Sequence, residues 1–114
     1  MSKYNVSWFK FSDSGELYYM DSVDTNDPRE AITEWMKASA TYRSTTRIVA
    51  RDIKYARELL DWCISNESTF KMLYDTYGSP YKQDYLLDAI RNNKLDSFYT
   101  GTEFGDTVYP FDFG

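Results

Sequence analysis

The chain has 114 residues, enough for one domain with its own core. Its apolar share is a modest 42%, but 11 Tyr, 7 Phe and 3 Trp supply bulk that offsets the scarcity of aliphatic residues. A net charge of −5 with no histidine and a single cysteine excludes the usual histidine-assisted nucleophiles, ordinary zinc sites and an obvious polyanion binder.

Read in chain order, "KYNVSWFKF" alternates like a strand, with Tyr4, Val6 and Trp8 on one side and Asn5, Ser7, Phe9 and Phe11 on the other. "SDSG" at Ser12 to Gly15 is turn text. "ELYYMDSV" resumes the alternation, with Leu17, Tyr19 and Asp21 opposite Tyr18, Met20 and Ser22. An N-terminal β-hairpin is expected.

The next segment opens with Asp27 as a cap and Pro28 at the first helical position. Ala31, Ile32, Trp35, Met36 and Ala38 or Ser39 then recur at three and four residues, predicting a helix over 28–41 that packs across the hairpin. The upstream stretch holds Asp21, Asp24 and Asp27, which could gather around a hard cation. Turn formation and capping explain the same residues more simply, and no metal or other cofactor is expected.

"STTRIVARDI" is β-branched and reads as a strand within 45–53, with Ile48 and Ala50 opposed to Arg47, Val49 and Arg51. The rival reading starts the following helix early, at Thr45 or Thr46. Asp52 caps a helix through "IKYARELLDWCIS", whose face is Ile53, Ala56, Leu60 and Cys63, widened by Leu59 and Ile64. "NESTFKMLYDTYG" gives another helix on Phe70, Leu73, Tyr74 and Tyr77, stopped at Gly78. A last helix is expected from Ser79 as cap and Pro80, burying Tyr81, Tyr85, Leu86, Ala89 and Ile90.

The C-terminal text has no helical period. Pro110 favours extension, which sends Tyr109, Phe111 and Phe113 to one side. Such a segment either closes this domain's core or docks on a partner, and in both cases is ordered. The whole chain, 1–114, is thus expected to be one α+β domain: a small antiparallel sheet, made of the hairpin and one further strand, packed against about four helices, with an extended C-terminal segment.

No catalytic signature survives inspection. The glycines at 15, 78, 101, 105 and 114 are too scattered for a phosphate loop. Asp84 with Asp88, and Glu30 with Glu34, are spaced like solvated helix surface. Cys63, flanked by Trp62 and Ile64, reads as a buried thiol in a reducing compartment, and no stretch approaches a membrane span or a signal-peptide core. A cytoplasmic setting is expected.

Charge is uneven: residues 1–28 sum to −3, 29–60 to +3, and 61–114 to −5. Asp61, Glu67, Asp75, Asp84, Asp88 and Asp96 recur through the last helices and, with Tyr77 and Tyr81, form a candidate face for a protein partner. Such spaced acids can imitate nucleic-acid phosphates and fill a basic groove. Eleven tyrosines exceed what the core needs, so some are expected at a surface. These features point to a non-enzymatic protein-binding domain, a small acidic inhibitor of a larger, nucleic-acid-handling protein, of the type that phages and mobile elements direct against host defence. The C-terminal Tyr109, Phe111 and Phe113 are a second candidate contact. The alternative is a nucleic-acid-binding accessory domain using Arg43, Arg47, Arg51, Lys54 and Arg57, although the acidic surroundings oppose direct binding.

Overall fold

The computed structural model describes residues 2–42, 46–78, 82–92, 100–101 and 107–108. Strands β1 (Tyr4–Phe11) and β2 (Leu17–Thr25) form the hairpin. Its turn closes because Gly15, at φ 84°, reaches a left-handed conformation that side chains disfavour, letting its N–H bond to Ser12 C=O at 2.9 Å. Helix α1 (Pro28–Tyr42) follows, then β3 (Thr46–Ala50), which pairs antiparallel to β1. The β-branched run is therefore a strand, shorter than the 45–53 span that contains it, and no early helix forms. Helices α2 (Ile53–Ser65), α3 (Glu67–Tyr77) and α4 (Gln83–Arg91) come next. Two short strands, β4 (Thr100–Gly101) and β5 (Thr107–Val108), complete a sheet of order β2-β1-β3-β5-β4. This is the expected α+β architecture.

The helices cover one face of the sheet. Tyr4 stands opposite Ala50 and Val6 opposite Ile48, and these four are fully buried. Directly opposed residues share a face, so Asn5, Ser7, Phe9, Arg47 and Val49 define the open side. Against the covered side α1 buries Ala31, Ile32, Trp35 and Met36, the stripe read from its period. Helix α2 adds Ala56, Leu59, Leu60 and Cys63, α3 adds Phe70 and Leu73, and α4 adds Leu86, Leu87 and Ile90. Tyr4 is the pin of the assembly, donating its hydroxyl to the Tyr55 carbonyl at 2.9 Å and so fixing α2 to β1.

Local signals behave as their chemistry demands. Asp27 accepts the Arg29 N–H at 3.0 Å, and Asp52, extended at φ −153°, accepts the Lys54 N–H at 2.9 Å. Gly78 ends α3 at φ 78° with its N–H on Tyr74 C=O at 2.7 Å. Replacing Asp52 by alanine removes one cap bond, and a loss of about 1 kcal/mol is expected in urea titration.

Four details differ from expectation. Ile53 and Ile64 are exposed, because they fall at the margins of α2's buried arc. Tyr77, placed in the α3 stripe, is also exposed, lying one turn beyond the last buried residue of that helix. Helix α4 starts at Gln83 and not Pro80, since Lys82 is still extended at ψ 144° and serves as the N-cap. Finally, the ladder shifts between Trp8 and Phe9: Trp8 faces Asp21, whereas Phe9 faces Tyr19. Met20 is the extra residue, so Asp21 lies on the covered side with Trp8, while Leu17 and Tyr19 join Phe9 and Phe11 on the open side. Simple alternation had grouped Leu17, Tyr19 and Asp21. Tyr81 and the side chains of Tyr85 and Ala89 lie outside the described residues.

Candidate functional site

The outer half of the hairpin projects past the helices, and there the covered–open distinction disappears. Phe11 is 64% exposed and Tyr19 60%, and Leu17, Tyr18 and Met20 are exposed too. On the open face Tyr19 meets Phe9 edge-on at 5.8 Å between ring centroids, and its hydroxyl lies 2.9 Å from Ser22 Oγ. The Arg47 guanidinium sits 5.6 Å above the Phe9 ring. On the other side Trp8 stacks with Tyr42 at 6.4 Å, and an open cleft of about 200 Å³ is lined by Phe9, Lys10, Phe11, Thr41 and Tyr42. That volume is below the range typical of small-molecule sites. These exposed apolar residues lie on β2, an edge strand of the sheet, and on β1 beside it.

The acidic residues read from sequence are exposed at Asp61, Asp75, Asp84 and Asp88. Glu67 is half-buried and joins a mixed network: Arg91 of α4 hydrogen-bonds its carboxylate, Lys71 lies 3.6 Å away, and Arg91 also reaches Asp88 at 3.7 Å. The Arg91 hydrogen bond holds the Glu67 carboxyl below the usual carboxylate range. Two of the candidate acids thus already face cations of their own domain. Tyr77 is exposed, with Lys37 Nζ 5.9 Å from its ring centroid. Tyr81 and Asp96 lie outside the described residues.

The basic residues divide between the two sides of the sheet. Arg47 stands on the open face, and Arg51 reaches Asp24 at 3.4 Å and the Ser2 carbonyl at 3.3 Å. Lys54 and Arg57 sit on α2, across the covered face, with Lys54 Nζ 4.9 Å from the Tyr55 ring centroid. Arg57 and Asp61, four residues apart on α2, form no ion pair with each other. Arg43 lies outside the described residues, as do Tyr109, Phe111 and Phe113. The lead-in to that C-terminal segment is described: Val108 pairs with Ala50 of β3 and with Thr100 of β4.

The loop carboxylates are occupied locally. Asp24 accepts Asn5 Nδ2–H at 2.9 Å, Asp21 accepts the Ser22 N–H, and Asp27 caps α1. Among the described residues no three potential ligands gather to hold a metal ion. Nor is any helix there long and apolar enough to cross a membrane.

Cys63 is fully buried, and burial pushes its thiol pKa well up. Tyr4 is raised for the same reason first, with Glu58 adding to it. The folded state therefore holds the neutral thiol, while the unfolded chain gives up that proton from about pH 8.5. Stability from this group is complete below that pH and falls as pH rises, by up to about 1.4 kcal/mol per pH unit. Denaturation measured across the alkaline range is expected to show this slope, and Cys63→Ala to flatten it.

The hairpin end was not among the candidate residues drawn from sequence. A signal was present: Phe9 and Phe11 put apolar bulk on the phase opposite Tyr4, Val6 and Trp8, although the helices of a two-layer domain cover only one face. No family model matches this sequence, and comparison with curated proteins and with solved structures finds no match.

Proposed function

We propose that the chain is a non-enzymatic protein-binding domain that inhibits or modulates a larger protein, and that it holds its partner through the outer end of the β1–β2 hairpin. One observation carries this reading: Phe11, Leu17, Tyr18, Tyr19 and Met20 stand exposed together on and beside an edge strand. Aromatic residues and Met are the types enriched at interface centres, because they bury much area at little entropic cost. The exposed acids of α2, α3 and α4 then act at longer range, favouring a partner with a basic surface, such as a nucleic-acid-handling protein. Small anti-defence inhibitors of mobile elements fit this description.

The test is a lysate pull-down with three baits: the full chain, Leu17→Ser with Tyr19→Ser, and Asp75→Lys with Asp84→Lys. A dominant partner lost only from the hairpin bait supports the reading. Loss only from the acidic bait moves the contact to the helices.

One arrangement favours a second reading. Arg47, Phe9 and Tyr19 together could stack bases on the open face. A salt-dependent oligonucleotide shift abolished by Arg47→Glu with Arg51→Glu would select it.

A further inference from the structure

Strand β2 is paired on one side only, to β1, and among the described residues no further strand pairs with its outer edge. Nine residues, Leu17–Thr25, leave about four outward-facing sets of backbone N–H and C=O groups, since alternate residues turn these groups to opposite sides. Natural edges of this length are commonly blunted by proline, charged side chains, a bulge, an inward-pointing charge or a covering element. The sequence LYYMDSVDT contains neither proline nor lysine. Its guards are the bulge at Met20 and the carboxylate of Asp21, which repels a like-charged strand and not a basic one.

A second copy of this chain is a poor occupant. Full antiparallel overlap of two β2 strands turns about the central residue, which is Asp21, and sets Asp21 against its own mate. Like charges directly opposite destabilise a strand pair. Shifted registers relieve this only by shortening the ladder. The exposed charges at this end are mainly acidic, namely Asp13, Glu16 and Asp21 against Lys10. Asp24 is already drawn toward Asn5 and Arg51, whereas Asp21 accepts only the Ser22 N–H and pairs with no cation among the described residues. The complement is a strand with opposite charge.

We propose, resting on the hairpin as the contact surface, that β2 takes up an extended segment of a partner protein as an added strand. That segment is apolar on the phase facing Leu17 and Tyr19 and carries Lys or Arg on the other phase, opposite Asp21. The register provides the two phases, because it places Tyr19 on the open side and Asp21 on the covered side within three residues. Backbone pairing supplies affinity, and the alternating side chains supply selectivity.

A random peptide display library panned on the full chain tests the chemistry. Enriched peptides are expected to alternate apolar β-formers with Lys or Arg and to lack proline and acids. The best of them, added to the full chain, is expected to slow amide exchange in β2 by about tenfold or more while leaving α3 unchanged. Asp21→Lys is expected to weaken that peptide about threefold to fivefold, as an exposed ion pair does, and Asp75→Lys to leave it unaltered. Enrichment of acidic or helix-patterned peptides, no enrichment, or protection confined to the helices overturns the proposal. So does an oligothymidylate that protects β1 and β3 when no peptide protects β2. If a captured partner depends on Leu17 and Tyr19 while β2 amides in that complex exchange unchanged, strand addition fails and the contact surface stands. If capture ignores the hairpin, both fail.

Discussion

Trp35→Ala is expected to lower the unfolding free energy by about 3–5 kcal/mol, the range for deleting a large core aromatic. Trp35 is 1% exposed and stands mid-helix on α1, the element that packs against both the central strand and α3. Truncation opens a cavity where two layers and a neighbouring helix meet, and collapse around it would require moving a strand. For a domain with a total stability of about 5–15 kcal/mol, much of the margin disappears. Urea titration followed by circular dichroism reads it, with Ile64→Ala as the contrast. Ile64 lies on α2 but is exposed, so its truncation is expected to cost no more than about 0.5 kcal/mol. Equal midpoint shifts for the two variants would contradict the helix–sheet core described above.

The hairpin variant Leu17→Ser with Tyr19→Ser should show the opposite profile. Both side chains are exposed, and Tyr19 gives up only an edge contact with Phe9 and a hydroxyl contact with Ser22. A stability change within about 1 kcal/mol is expected. Affinity for the captured partner should fall about thirtyfold or more, the loss that marks aromatic hot spots. Asp75→Asn with Asp84→Asn should mainly slow association, several-fold and more so at low salt, since exposed rim charges steer encounter more than they hold a complex. A hairpin variant that binds like the parent would return the contact to α2, α3 and α4.

Much of the fold was legible because helix period and capping chemistry are local. The α1 stripe, Asp27 and Asp52 as caps and Gly78 as a stop all follow from spacing of a few residues, and they stand where expected. The start of α4 was not, because Pro80 satisfies a first-turn rule that the extended Lys82 overrides. The candidate site was harder still. A bulge depends on which residue of a second strand lies opposite, so the shift at Met20 leaves no mark in the alternation of β2 itself. Phe11 and Tyr19 are exposed because they stand on the open face. Exposure of Tyr18, opposite Lys10 on the covered phase, depends on where α1 ends relative to the sheet, a matter of relative lengths and not of composition. Aromatic abundance predicted that a surface exists. Its address required the register.

The single extra residue at Met20 has an evolutionary corollary. It lies where an inner half, whose covered-side residues pack against the helices, gives way to an outer half that exposes Phe11, Leu17, Tyr18, Tyr19 and Met20. Substitutions at Phe11, Leu17, Tyr18 and Tyr19 can therefore accumulate with little penalty in folding, while those at Gly15, Tyr4, Val6 or Ile48 cannot. A lineage under pressure to follow a changing partner could rewrite the one half indefinitely and leave the other untouched. Deleting Met20 would leave both phases as they are, because Asp21 would then follow Tyr19 in ordinary alternation and every other pair would keep its partner.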